Sequence, residues 1–217
     1  PCGEVRAADG EILILDAGTG LHWLGASLID GGFSRLKRRA HLLITHTHWD
    51  HIQGLPFFQP MLDGNCRFSI YGSGDATTME QKLQWQMDRA YCPVPNFFDD
   101  RVGARVAILN IDEVPFQIGA TRVQARRVNH ATGSTTFGYR LDHGARSLAY
   151  VPDVEYLEPA HREPVPALAD GVDLLIHDAH FTRQERAACI TRAAQDWQAW
   201  KQTHAPALEA VNVTRDA

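Results

Sequence analysis

Apolar residues along this chain gather into short blocks, mostly of strand length, punctuated by Gly, Pro, Asp and Asn. Residues 4–7 and the wholly apolar 12–15 flank Ala8-Asp9-Gly10, and an Asp-Gly turn between two such blocks predicts a hairpin. The second block ends at LDAGTG, which contains Asp16. In residues 21–30 (LHWLGASLID) apolar positions recur at helical spacing, and Gly31-Gly32 stops them. The basic segment SRLKRR that follows reads as a solvated face in a turn or short helix. A strand over 41–45, a helix start near Gly54-Leu55-Pro56 and a strand over 68–72 (FSIYG) come next. Asp75 is placed to cap a helix running to about Ala90, with Met79, Leu83 and Met87 as a core stripe. In the loop CPVPNFF, Phe97 and Phe98 read as packing residues in preference to a pocket mouth.

The second half is dense in strands: RVAILNI, VPFQIG, TRVQARRVN, TFGYRL, SLAYVP and VDLLIH. A helix is expected within PALADG and a longer one over 182–200. Strands and helices alternate on both sides of residues 42–51, and each half holds antiparallel hairpins. The pattern predicts two β-sheets packed face to face with helices outside, in one domain over 1–217.

Composition narrows the function. The 217 residues are 44% hydrophobic and 22% charged, which suits a globular core and excludes a disordered chain. Net charge is 21 − 26 = −5, with no basic surface for a general grip on nucleic acid. A small phosphorylated substrate held at one local site remains open. No apolar run reaches membrane-spanning length. Cys2, Cys66, Cys92 and Cys189 are scattered without a C-x-x-C pair, so reduced, mostly buried thiols in a cytoplasmic protein are expected. The chain begins at Pro1 and reads as a strand from its third residue, so further sequence is expected upstream.

The chemistry concentrates in LLITHTHWDH, residues 42–51. In an extended stretch, side chains at i and i+2 share a face, so His46, His48 and Asp50 are expected on one side and His51 on another. Two imidazoles at that spacing supply two legs of a tetrahedral zinc site, while Asp50 and His51 begin a neighbouring one. The run LLIT ties the motif to a rigid strand. Completing ligands are sought at other strand ends. His130 closes TRVQARRVNH and Asp153 closes SLAYVPD; both are candidate ligands, against the plainer roles of core imidazole and turn-capping carboxylate.

THTHWDH, VNH, YVPD and LIHDA, in that order after LDAGTG, resemble the metallo-β-lactamase-fold hydrolase superfamily over about residues 3–180. The likeness is strongest to its phosphodiesterase-like branch, which includes ribonuclease Z and the cyclic-phosphate phosphodiesterases. The resemblance implies an α/β fold, a four-layer αββα sandwich of the metallo-β-lactamase type, with a two-metal site at one edge. It implies His46, His48 and His130 on one metal, Asp50 and His51 on the other, and Asp153 bridging both. Asp16 would orient a ligand histidine, or serve only as a strand-end turn former.

Two such divalent ions, zinc foremost and manganese or iron as alternatives, point to hydrolysis without a Ser or Cys nucleophile. Flavodiiron relatives carry Glu where His48 stands, and β-lactamases lack the Asp at 153. The tRNA-gripping arm of ribonuclease Z is missing here. These differences favour a small phosphodiester cleaved by a metal-activated hydroxide, with Asp50 as a catalytic residue. A thioester or lactone hydrolase of the same fold and a non-catalytic metal-binding sensor are the alternatives. His177-Asp178-Ala179-His180 stands where the branch has H-E-A-T, which makes Asp178 a second catalytic candidate or the cap of the helix starting near Thr182. The resemblance also implies one more ligand histidine after the last strand. The only histidine beyond His180 is His204, preceded by a helical pattern and no strand, so the second metal position is expected to be short of a protein ligand.

Overall fold

The first apolar blocks form the hairpin their turn predicts, β1 (Gly3–Arg6) and β2 (Ile12–Leu15). The protein is seen here in a computed structural model that describes residues 1–36, 38–74, 78–92, 103–130, 135–156, 159–179, Gln184 and Arg192. Asp75, Phe97, Phe98, His180, Cys189 and His204 lie outside the described residues. So does the expected helix over 182–200, apart from Gln184 and Arg192, both helical. After the hairpin the order is α1 (Gly20–Asp30), β3 (Arg39–Leu43), α2 (Trp49–Ile52), β4 (Arg67–Gly72), α3 (Met79–Trp85) and β5 (Arg105–Asn110). Then come β6 (Phe116–Ile118), β7 (Thr121–Val128), β8 (Thr136–His143), β9 (Arg146–Val151), α4 (Pro164–Ala169) and β10 (Leu174–His177).

Two of the expected helices differ. Near Gly54 the chain makes two short 3-10 turns, Leu55–Phe57 and Gln59–Leu62. Pro60 has no N–H for a continuing helix, and Phe58 between the turns leaves helical geometry (φ −84°, ψ 87°), so the two turns do not fuse. The N-cap of α3 is Thr78, in a reciprocal capping box with Gln81. That helix ends at Trp85, short of Ala90. Asp88 accepts a bond from Ala90 N at 2.8 Å, and this local turn competes with further helix. Met79, Leu83 and Met87 are nonetheless buried as the stripe predicts.

The strands form two five-stranded sheets, β1-β2-β3-β4-β5 and β10-β9-β8-β7-β6. The first is parallel except for its opening hairpin; the second is antiparallel except for β9 with β10. Strand alternation assigns the layers. Ile12 and Ile14 of β2 and Leu42 of β3 pack with Leu21 and Leu28 of α1 and Leu83 of α3. Their neighbours Leu13, Leu15 and Leu43 face the other way, against Val123, Phe137, Tyr139 and Tyr150 of the second sheet. On the far side of that sheet Val128, Ala149 and Val151 meet Val165 and Leu168 of α4. The result is an α/β four-layer sandwich, helices–sheet–sheet–helix, as expected from the sequence. Among the described residues, no helix is long and apolar enough to cross a membrane.

Two hydrogen bonds join the sheets directly. Phe137 N donates to Thr45 O at 3.0 Å, and Tyr139 OH donates to Ile44 O at 2.7 Å. Both fall just before the histidine motif, so the end of β3 is fixed from the opposite sheet.

Candidate metal centre

The motif leaves β3 extended and then turns. His48 still has strand geometry (φ −63°, ψ 152°), and the four residues of α2 begin at Trp49. Period-two alternation therefore stops at His48, and the expectation that Asp50 shares a face with His46 and His48 by strand spacing does not hold. Nor does His51 point elsewhere. The helical turn brings His51 Nε2 within 3.1 Å of Asp50 Oδ2 and 3.1 Å of Asp153 Oδ2, and its ring centroid lies 4.1 Å from that of His46.

Six of the candidate residues gather into two groups. His46, His48, His130 and Asp153 form one, and Asp50, His51 and Asp153 the other; within each, the donor atoms lie within 4.8 Å of one another. Asp153 Oδ2 is common to both, 3.6 Å from His46 Nε2, 3.5 Å from His130 Nε2 and 3.1 Å from His51 Nε2. The first sheet supplies His46, His48, Asp50 and His51. The second supplies His130 after β7 and Asp153 after β9. Asp178, the remaining catalytic candidate, belongs to neither group; it is 8% exposed at the end of β10, its N–H donating to Val151 O.

Buttresses behind the cluster set the ring orientations. Asp16 is fully buried and accepts from Thr45 N at 2.7 Å, Thr45 Oγ1 at 3.0 Å, His51 Nδ1 at 2.9 Å and Tyr150 OH at 2.9 Å. Thr45 Oγ1 in turn stands 3.1 Å from His46 Nδ1. His46 and His51 are thus backed at Nδ1 and face the cluster through Nε2. His48 is the exception, presenting Nδ1, 3.2 Å from His130 Nε2. Thr45 and Tyr150 carried no signal of their own in the sequence, and Glu155, 3.4 Å from His130 Nδ1, carried none either.

Burial and the neighbouring charges set the protonation states. Burial, with the charges of His51, His48 and His130, pushes His46 down to about 2, so its 3.6 Å contact with Asp153 is not an ion pair. His48 is lowered for the same reasons, burial first. Burial also opposes a charge on His51, but hydrogen bonds to Asp153 and Asp16 outweigh it and raise this imidazole to about 9. Asp153 is held below the ordinary carboxylate range despite its burial, chiefly by the hydrogen bond from His51.

The donor set fits divalent cations. His46 Nε2 is buried without a hydrogen-bond partner, and a neutral imidazole whose Nδ1–H is directed at Thr45 offers a lone pair there. Beside that lone pair stand two further imidazoles and an ionised carboxylate, nitrogen and oxygen donors of the kind that hold zinc, manganese or iron.

The family model of the beta-lactamase superfamily domain matches residues 13–217. The chain belongs to the beta-lactamase superfamily. Solved structures agree on the fold of this superfamily member. Zinc-bound PqqB from Methylobacterium extorquens superposes with a TM-score of 0.56 at 15% identity, covering 88% of this chain and 62% of PqqB. A diphosphatase of the PhnP family gives 0.54 at 18% identity, over 88% of this chain and 68% of its own. The short form of human tRNase Z gives 0.56 at 20% identity, over 88% and 75%. The chain thus spans about three-fifths of PqqB's length. No curated protein matches the sequence.

Proposed function

We propose that this superfamily member is a dinuclear metal-dependent hydrolase acting on a small phosphodiester. The observation that carries the reading is Asp153, one carboxylate oxygen shared by a four-residue and a three-residue donor group. The reading assigns His46, His48 and His130 to one cation, Asp50 and His51 to the other, and Asp153 to both. When bound, such a pair supplies Lewis acidity toward a phosphoryl oxygen and makes a water acidic enough to ionise near neutral pH. Zinc is the first choice, supported by the zinc in PqqB, with manganese or iron compatible with the same donors.

The protein's own residues prepare and orient the reactants. Neutral His46 and His48 offer lone pairs in place of protons. Asp50, whose side chain is 62% exposed and borders the solvent, is the catalytic group we assign to take the proton from the attacking water. Asp178 is kept as a weaker catalytic candidate on its motif alone. A phosphodiester is supported by a diphosphatase and a tRNase among the structural neighbours, and a small one by the −5 net charge, which is unsuited to gripping a long nucleic acid. The match over residues 13–217 supports one hydrolase domain. Buried free thiols at Cys66 and Cys92 support a reducing, cytoplasmic location.

Elemental analysis of reconstituted protein, followed by turnover of bis(p-nitrophenyl) phosphate, cyclic nucleotides, a thioester, a lactone and a β-lactam, tests the reading. Bound metal and phosphodiester hydrolysis are expected, with His46→Ala and Asp50→Ala folded but inactive. Turnover of lactones or thioesters without any phosphodiester would replace the substrate class, and metal binding without turnover would leave a sensor. A metal-free protein after reconstitution would remove the whole reading.

A further inference from the structure

His130 enters the cluster through Nε2, 3.2 Å from His48 Nδ1 and 3.5 Å from Asp153 Oδ2. Its Nδ1 points away, buried, with no hydrogen bond completed. Glu155 Oε1 stands 3.4 Å from that nitrogen, and the two side chains are only 5% and 6% exposed. A buried imidazole nitrogen left without a partner is costly, and the adjacent carboxylate is an acceptor to which it can donate.

The backbone holds the two residues in register. Glu155 N donates to Asn129 O at 2.6 Å, and Asn129 Nδ2 donates to Glu155 O at 3.1 Å. The residue just before His130 is therefore clamped to the residue that faces its ring, and the loop after β9 is tied to the end of β7. The clamp also fixes Asp153, two residues before Glu155, relative to His130.

Two of the other three rings follow the same plan, His48 being the exception. His46 Nδ1 is backed by Thr45 Oγ1 at 3.1 Å and His51 Nδ1 by Asp16 Oδ2 at 2.9 Å. We infer that Glu155 is the positioning residue of His130: its carboxylate accepts the Nδ1 proton and so fixes the tautomer whose Nε2 lone pair faces the cluster. A carboxylate behind a ligating imidazole holds the ring and raises its basicity, and losing such a partner typically weakens metal binding by about 10–100-fold. This role rests on the metal reading proposed above, and Glu155 acts only through His130.

Long-range proton–nitrogen NMR of the imidazoles in metal-free protein at mildly alkaline pH is the first measurement. His130 is expected as the Nδ1–H tautomer in the wild type and as a mixture in Glu155→Ala. Zn2+ affinity by chelator competition is the second: a loss of about 10–100-fold in Glu155→Ala and a smaller loss in Glu155→Gln, which keeps an acceptor oxygen but not the charge. Thermal unfolding of each metal-free variant separates this effect from a general loss of structure. A wild-type His130 protonated at Nε2 overturns the assignment without recourse to any variant, should Glu155→Ala fail to fold. Zn2+ bound equally tightly by wild type and folded Glu155→Ala overturns the role of Glu155 alone. A wild type that takes up no Zn2+ overturns the metal reading, and this inference with it.

Discussion

Asp16 holds a backbone conformation, φ 59°, that side chains with a bulky Cβ substituent rarely adopt and that Asp tolerates better than most. The left-handed turn at the end of β2 aims its short carboxylate back toward β3, where it meets a backbone amide, a hydroxyl, an imidazole and a phenol. Tyr150 remains a donor in that network, because burial and the neighbouring Asp16 push its phenol far above the usual range. Asp16→Ala would strand those donors in a dry interior. Each buried donor left without a partner costs about 1–3 kcal/mol, so a loss of at least about 3 kcal/mol in unfolding free energy is expected. Denaturant unfolding of the metal-free protein measures it, and a loss under about 1 kcal/mol would show that the network is solvated or replaceable.

The element that carries Asp50 and His51 is a single helical turn, too short to hold its shape alone. It is held by the loop after β2. Ala17 N donates to His51 O at 2.7 Å, and Gly54 N donates to Ala17 O at 2.8 Å. The two segments touch backbone to backbone at glycines. A Cβ on Gly18 would run into the carbonyl oxygen of Asp50, and one on Gly54 into that of Gly18. Those glycines are needed for close approach, and neither has a positive φ. Gly54→Ala would force α2 and the loop apart, at the roughly 1–3 kcal/mol usual for overpacking. Thermal unfolding reads this directly, and a Gly54→Ala variant as stable as the wild type would show that the backbone yields without cost.

Across the whole molecule, the candidate centre exists only where the two sheets meet. Neither sheet holds either donor group by itself, because Asp153 completes both from the second sheet while the HTHWDH motif hangs from the first. The groups differ in make-up: four residues in one, three in the other among the described residues. The smaller group also has the more exposed member, Asp50. Metal loss is therefore expected in two steps, one ion leaving at much lower chelator concentration than the other. Elemental analysis across a chelator titration checks this; simultaneous loss of two equally tight ions would contradict it. Because metal bound only to the folded state stabilises it by mass action, about 2.7 kcal/mol at a hundredfold excess over Kd, two steps in melting temperature should accompany the two losses.

The sequence alone determined what depends on near neighbours. The apolar block of β2, the alternation in β7, the Asp9-Gly10 turn and the Met79–Leu83–Met87 stripe were legible because turn chemistry and side-chain direction are set by near neighbours, the latter repeating every two or every 3.6 residues. The density of His and Asp in residues 46–51 marked the chemistry, and strand ends marked His130 and Asp153. Only the tertiary structure decided which atoms meet. The change from extended His48 to helical Trp49 turned His51 into the cluster, against the strand period. The partners Tyr150 and Asp16 are 134 residues apart, and His51 and Asp153 are 102 apart. Glu155 sits in no motif and becomes visible only once β7 and the loop after β9 lie side by side. Periodicity is a local property of the backbone, whereas these contacts depend on how two sheets stack, which no short stretch of residues encodes.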